Sequence, residues 1–237
     1  MDDIEIRQLD QLEASHFWYK ARKIQLNKWF KEFNESDLIV LDLGSATGGN
    51  TLHITSMGHS VTSVEYSDIG ISIQNAKGIP AIQADARSLP FANGTFDVVV
   101  CLDVLEHIIE DYVVASEIYR VLAPNGHFLI SVPEDPKLWS AHDTSVNHVR
   151  RYTKGGMYSV LSESKLWVNQ IWSTLYLLRP MIVIARKFTE GSNLTKLNPF
   201  VNKVLYLICR LELSLPKYPL NGVTMWISGQ KILVEEN

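Results

Sequence analysis

Cysteine is scarce. The two in 237 residues, Cys101 and Cys209, are too few for a disulfide framework and have no metal-ligand spacing. Both lie in apolar runs, so a reducing cytoplasm is the expected location and no metal is expected. Basic charge is also short: 22 Lys and Arg against 26 Asp and Glu leave a formal net charge of −4. That excludes a broad nucleic-acid footprint, and no nucleic-acid partner is expected. Long apolar runs are missing. The most apolar stretch, residues 171–185, is broken by Arg179-Pro180 and is too short to span a bilayer. The opening MDDIEIRQLD is acidic and lacks the basic and apolar regions of a signal peptide, so none is expected. Internal repeats and low-complexity segments are absent. What remains is an ordinary globular composition, 46% apolar and 20% charged, in a chain long enough for one sizeable domain.

Periodicity divides the chain. Residues 1–36 read as a helical lead-in, with Phe17, Trp18, Ile24, Leu26, Trp29 and Phe30 at helical spacing. Five apolar or β-branched strands follow, at 37–43, 60–66, 80–84, 95–102 and 127–132, with helices at 48–57, 68–76 and 112–122 between them. Gly58 and Gly78 stop the first two helices, Asp68 is the expected N-cap of the second, and Pro124-Asn125-Gly126 ends the third. Residues 134–151 read as a long polar loop. A helix capped by Thr153 runs to about 162, a sixth strand occupies 166–173, and a closing strand occupies 225–234. Apolar strands alternating with helices predict an α/β fold: a Rossmann-like, seven-stranded, mostly parallel sheet with helices on both faces. The expected organisation is a single domain: a helical cap over 1–36, a cofactor-binding core over 37–173, a helical insert over 174–221 and a closing strand over 222–237.

The turn GSATGG at 44–49 lies between a strand and a helix. Glycines there let backbone approach a ligand and aim free N–H groups at it. Glu65, at the end of the next strand, suits the two hydroxyls of a ribose. The turn reads G-x-A-x-G-G, not the dinucleotide pattern G-x-G-x-x-G, and Asp42 precedes it by two residues. LDLGSATGG resembles motif I of class I S-adenosylmethionine (SAM)-dependent methyltransferases, with Ala46 at the middle glycine. VEYS, QADARSLPF, FDVVVCLDVLEHI and LAPNGHFLISVP resemble that family's later motifs in order, over about residues 13–165. The likeness is strongest to the small-molecule group that includes quinone-biosynthesis enzymes. The lead-in EASHFWYKARKIQL resembles the N-terminal segment of another branch.

The resemblance implies SAM as cofactor and a small-molecule acceptor. It puts Gly44, Ala46 and Gly48 against the methionine and ribose, with Asp42, Ser45 and Tyr66 in the same site. Glu65 would take the ribose hydroxyls, Asp85 and the Ala86 backbone the adenine, and Leu102 the sulfonium region. Phe17, Trp18 and Arg22 would close over the cofactor, Arg22 clamping its carboxylate. Phe17 and Trp18 fit helix packing better than a cofactor lid, and a turn cap is the alternative for Asp85.

Methyl transfer from a sulfonium is an in-line displacement that needs alignment, desolvation and, for an oxygen acceptor, a base. His107 is the first candidate, because imidazole titrates near neutrality; pairing with Glu106 or with a backbone carbonyl to shape the strand exit is its structural alternative. His148, with Arg150 and Arg151, reads as a polar lid for an anionic substrate group, or as a solvated loop. Tyr152 reads as acceptor lining or as core. In the insert, Arg179, Arg186 and Lys187 surround apolar residues, which suits a peripheral membrane surface, a greasy acceptor or a dimer contact, with packing over the sheet the simplest alternative. The resemblance therefore predicts SAM-dependent methylation of a small molecule, at oxygen or nitrogen ahead of carbon. Two rivals stand beside it: a SAM-binding protein without transfer activity, and a nicotinamide-dependent oxidoreductase of related fold, against which Ala46 and Asp85 argue.

Overall fold

Val98, Val100 and Leu102 point to one face of a strand and Val99 and Cys101 to the other, and all five are buried. A strand apolar on both faces belongs inside a covered sheet. In the computed structural model, which describes residues 3–33, 37–186, 196–215 and 220–232, that strand is central. The sheet comprises β1 (Ile39–Leu43), β2 (Ser60–Glu65), β3 (Ala81–Gln83), β4 (Phe96–Leu102), β5 (Leu122–Pro133), β6 (Leu166–Thr174) and β7 (Thr224–Lys231), in the order β3-β2-β1-β4-β5-β7-β6. The first five strands pair in parallel, and β7 runs antiparallel between β5 and β6. The seven-stranded, mostly parallel expectation holds.

The helices are α1 (Asp3–Leu12), α2 (Phe17–Phe30), α3 (Gly49–Thr55), α4 (Asp68–Ala76), α5 (Asp111–Val121), α6 (Ala141–Ser145), α7 (Lys154–Glu163), α8 (Arg179–Arg186) and α9 (Pro199–Ser214). One core packs α5 and α7 side chains (Ile118, Met157, Leu161) on Val99, Cys101 and Ile130. The opposite core packs α2 and α3 side chains (Leu26, Trp29, Phe30, Ile54) on Val98, Val100 and Leu129. Strand order reverses at β1 and β4, so a crevice opens at their carboxyl ends, where ligands bind in such sheets.

Several local expectations are corrected. The cap of α4 is Ser67, whose hydroxyl accepts the Gly70 N–H at 3.3 Å; Asp68 is the first helical residue. β5 begins at Leu122, because Leu122 already pairs with Phe96 and a register shift absorbs the following turn, with Asn125 left-handed at φ 61°. The stretch 134–151 is not all loop: it holds α6, started by a capping box between Ser140 and Asp143. Arg179-Pro180 does not break a helix but starts α8, since proline is tolerated in a first turn. Lys187 and the end of the expected closing strand, residues 233–234, lie outside the described residues.

The insert packs against the cap. The Asn202 side chain of α9 accepts the Phe17 N–H at 2.8 Å and donates to the Ser15 carbonyl at 2.9 Å. Buried Glu212 accepts the Leu175 and Leu177 N–H groups at 2.5 and 2.8 Å.

Candidate active site

A cavity of about 960 Å³ lies beyond the carboxyl ends of β1, β2 and β4, roofed by α1, α2, α8 and α9. Its floor is the glycine turn. Gly44 (φ 73°), Ala46 (φ 48°) and Gly48 (φ 83°) are all left-handed, and the alanine bears a strain of about 1–2 kcal/mol that glycine would avoid. Glu65 holds the strained turn: its carboxylate accepts the Ala46 N–H at 2.7 Å and the Ser67 N–H at 2.9 Å. Gln74 fixes the other side by donating to the Ala46 carbonyl at 2.9 Å. A Cβ on Gly44 would lie 2.3 Å from the Val104 side chain, so only glycine fits against the β4 exit.

Gly44, Ser45, Ala46, Glu65 and Tyr66 line the cavity. Asp42 and Gly48 do not. Asp42 is buried behind the turn and accepts the Thr51 hydroxyl at 2.6 Å; burial raises its carboxyl to about 7, against the Thr51 bond. Gly48 backs onto Ile79 and Gln74 and turns the chain into α3. Both support the floor.

Asp85 and Ala86 line the next wall with Leu102. Arg87 grips Asp85, at 2.7 Å from Nη2 and 3.0 Å from Nε, and these bonds hold its carboxyl below the usual range. Phe17, Trp18 and Arg22 line the roof. Arg22 pairs with Asp103, at the strand-four exit, which also accepts the Ser131 hydroxyl at 3.0 Å. Asp103 stands left-handed at φ 57° and was not singled out from sequence. Nor was Glu13, which accepts the Thr47 hydroxyl at 2.6 Å and brings α1 onto the turn. No local pattern marks Glu13, because its role arises only when the cap docks.

The far wall carries Glu106, His107, His142, His148 and Arg151. His148 Nδ1 lies 2.9 Å from Asp143 Oδ1, and its Nε2 lies 3.8 Å from Glu106 Oε1. Burial opposes ionisation of Asp143, but bonds from His148 and Arg151 outweigh it and hold the carboxyl well below its ordinary range. Of its two structural alternatives, His107 takes the backbone carbonyl and not Glu106. Its Nδ1 lies 3.3 Å from the Asn147 carbonyl, and burial, then His148, lowers it to about 4. The sequence expectation of near-neutral titration is thereby corrected. Glu106 is buried, and neither of its oxygens has a hydrogen-bond partner among the described residues. Burial first, then Asp103, pushes its carboxyl well above the usual range.

Tyr152 is corrected from acceptor lining to core. It is buried, and its hydroxyl donates to Asp111 Oδ2 at 2.7 Å and lies 3.2 Å from the Leu105 carbonyl. Arg150 faces the same aspartate, at 2.7 Å, and is not a lid residue.

Residues 41–130 match the model of a methyltransferase domain. A Mycobacterium tuberculosis protein named as a probable S-adenosylmethionine-dependent methyltransferase is 23% identical over 67% of this chain and 58% of its own length. The demethylmenaquinone methyltransferase of Mycolicibacterium vanbaalenii is 28% identical over 50% of each chain. This chain therefore spans only half to three-fifths of those relatives. A Thermotoga maritima structure, titled a SAM-dependent methyltransferase and possible histamine N-methyltransferase, superposes with a TM-score of 0.66 at 14% identity, covering 97% of both chains.

Proposed function

Residues 41–130 are a methyltransferase domain of the class I, SAM-dependent superfamily, and from that premise we propose that the chain transfers a methyl group from SAM to an oxygen or nitrogen of a small-molecule acceptor. The observation that carries this reading is the continuity of one cavity from the glycine turn to the histidine wall. The residues present fit the cofactor. The backbone of Gly44–Ala46 offers a left-handed cradle, and Glu65 has acceptor directions beyond its two N–H bonds. Asp85 and Ala86, which line the next wall, are read as the adenine contacts. When bound, SAM supplies an electrophilic methyl on a sulfonium.

The chain supplies the rest. The imidazole of His107 orients the acceptor, and that of His148 receives its proton. Asp143 fixes the His148 ring by accepting from Nδ1, which leaves Nε2 bare. The apolar roof, with Ile182 and Leu205, excludes water. Arg22, paired with Asp103, latches the cap and would hold the cofactor carboxylate. A nicotinamide cofactor is not favoured by the methyltransferase match or by the turn.

Calorimetry with SAM and NADH, followed by a labelled-methyl acceptor screen, tests the reading. SAM should bind and NADH should not. Glu65→Gln should weaken SAM by about 10–100-fold, the cost of one or two charge-assisted bonds. SAM binding with no methylated product from any acceptor class would mean a binding protein.

The insert extends the proposal to a peripheral membrane surface. Among the described residues no helix is long and apolar enough to cross a membrane. On α9, however, Phe200, Val204, Leu207 and Leu211 form an exposed apolar stripe, and exposed Lys203 and Arg210 run along one edge of it. A basic-edged apolar stripe fits an anionic bilayer surface. The same helices form the roof of the acceptor side, so a greasy acceptor has a short route in.

A further inference from the structure

We propose that Glu106, His107 and His148 bind one divalent first-row transition-metal cation on the acceptor wall of the cavity. One ligand atom from each residue lies within 4.8 Å of the others. Metal bonds near 2.0–2.2 Å require these atoms to sit about 3–3.5 Å apart, which small side-chain rotations achieve. The Glu106–His148 approach, at 3.8 Å, is already close to that.

Three further features point the same way. First, Glu106 is 1% exposed, and both its oxygens lack a hydrogen-bond donor among the described residues. A buried carboxylate without donors is costly unless a proton or a cation compensates it, which makes it a ready cation ligand. Second, each histidine has its outer nitrogen occupied. Nδ1 of His148 faces Asp143 and Nδ1 of His107 faces the Asn147 carbonyl, so the hydrogen-bond partners assign the proton to Nδ1 and the lone pair to Nε2 in both rings. Carboxylate–histidine and carbonyl–histidine pairs of this kind are the usual outer support of metal-bound imidazole. Third, Asp143 is itself anchored, accepting from Arg151 Nε at 2.7 Å and from the Ser140 N–H at 2.9 Å, so the His148 ring stands on a rigid base.

The donor set decides the class of ion. Two imidazoles and one carboxylate suit Zn²⁺, Mn²⁺, Fe²⁺ or Co²⁺ better than Mg²⁺ or Ca²⁺, which prefer oxygen. Three protein ligands leave coordination positions open toward the cavity, where water or an acceptor oxygen can enter. The metal site stands on its own geometry. Its use in activating an acceptor oxygen rests on the methyl-transfer reading, and there the cation would take over from a histidine base, because it occupies both lone pairs.

The full chain, stripped with a chelator, is titrated with Co²⁺ and followed by its visible ligand-field band, with Zn²⁺ added in competition. One Co²⁺ per chain is expected, displaced by Zn²⁺. Glu106→Gln and His148→Asn should each weaken Zn²⁺ by more than about tenfold, and Asp143→Asn by about 10–100-fold as an outer-support change. SAM calorimetry on the same variants reports folding and the cofactor site separately. A chain that binds SAM but takes up neither ion overturns the metal site and leaves methyl transfer standing. Equal Zn²⁺ affinity in wild type and Glu106→Gln also overturns it. If Glu106→Gln fails to fold, His107→Gln supplies the comparison: undiminished Zn²⁺ affinity there rejects the site. Metal uptake without SAM binding supports the site and rejects the methyl-transfer reading.

Discussion

Gly70 shows how one missing methyl group shapes the candidate site. A Cβ there would lie 2.7 Å from Glu65 Cγ and 2.8 Å from the Ala46 carbonyl. It would press on the carboxylate and on the strained turn together. Gly70→Ala should lower stability by about 1–3 kcal/mol, as overpacking does, and should weaken SAM binding through a displaced Glu65. Thermal unfolding and calorimetry read the two effects. Asp42 makes a different prediction at the same scale. Its folded-state carboxyl titrates near 7 against an ordinary 3.8, so the folded chain holds the proton more tightly than the unfolded chain. The stability linked to this group is full below about pH 4 and is lost as pH rises through about 7. Asp42→Asn should remove up to about 1.4 kcal/mol of loss per pH unit across that window. Melting temperatures of both proteins from about pH 5 to about pH 8 test the sign: wild type should fall relative to the variant. An unchanged difference rejects a buried, proton-holding Asp42.

At the scale of elements, α9 carries two faces with different tasks. Leu205, Cys209 and Glu212 face inward, whereas Phe200, Val204, Leu207 and Leu211 face out. Leu207→Glu with Leu211→Glu should therefore leave the melting temperature nearly unchanged and abolish flotation with anionic vesicles. Retained flotation sinks the membrane reading, and a concentration-dependent dimer lost in the same variant would assign the stripe to a second copy instead. Elements were also where sequence was most informative. β1, β4 and the second half of β5 stand out because buried strands are mostly apolar, β2 because it is rich in β-branched residues, and α4 because Gly78 marks its stop. The boundaries that moved did so for local reasons. Ser67 outcompetes Asp68 as a cap by one residue, and Leu122 joins a strand because Phe96 pairs with it across a bulge. The start of the glycine turn, Glu65 and Asp85 stood out because each lies at or within two residues of the carboxyl end of a strand. The Glu106–His107–His148 cluster was not: about forty residues separate its halves, and only docking of the segment after β5 joins them. Tyr152 stayed open between two readings for the converse reason, since a tyrosine near a site looks the same in sequence whether it faces cavity or core.

At the scale of the whole molecule, the roof is built from both ends of the chain. α2 comes from the first thirty residues and α9 from the last forty, and Asn202 joins them by bonding on both sides of His16, to the Ser15 carbonyl and the Phe17 N–H. His16 in turn caps α2 by accepting the Trp18 N–H at 3.3 Å. The start of the cap helix, which places Phe17, Trp18 and Arg22 over the cavity, is therefore held by the insert rather than by the sheet. That makes cofactor affinity depend on a contact remote from the glycine turn. Asn202→Ala should leave the sheet intact yet free the 13–22 segment, seen as faster amide exchange there. Because a ligand stabilises the folded chain by RT ln(1 + [L]/Kd), SAM at about 100 times its wild-type Kd adds about 2.7 kcal/mol, or roughly 5–11 °C for a chain of this size. If the cap closes on the cofactor, the same SAM concentration should shift the variant by several degrees less. An undiminished shift, with faster exchange confirmed at 13–22, would mean that the floor alone holds the cofactor and that the roof serves only the acceptor.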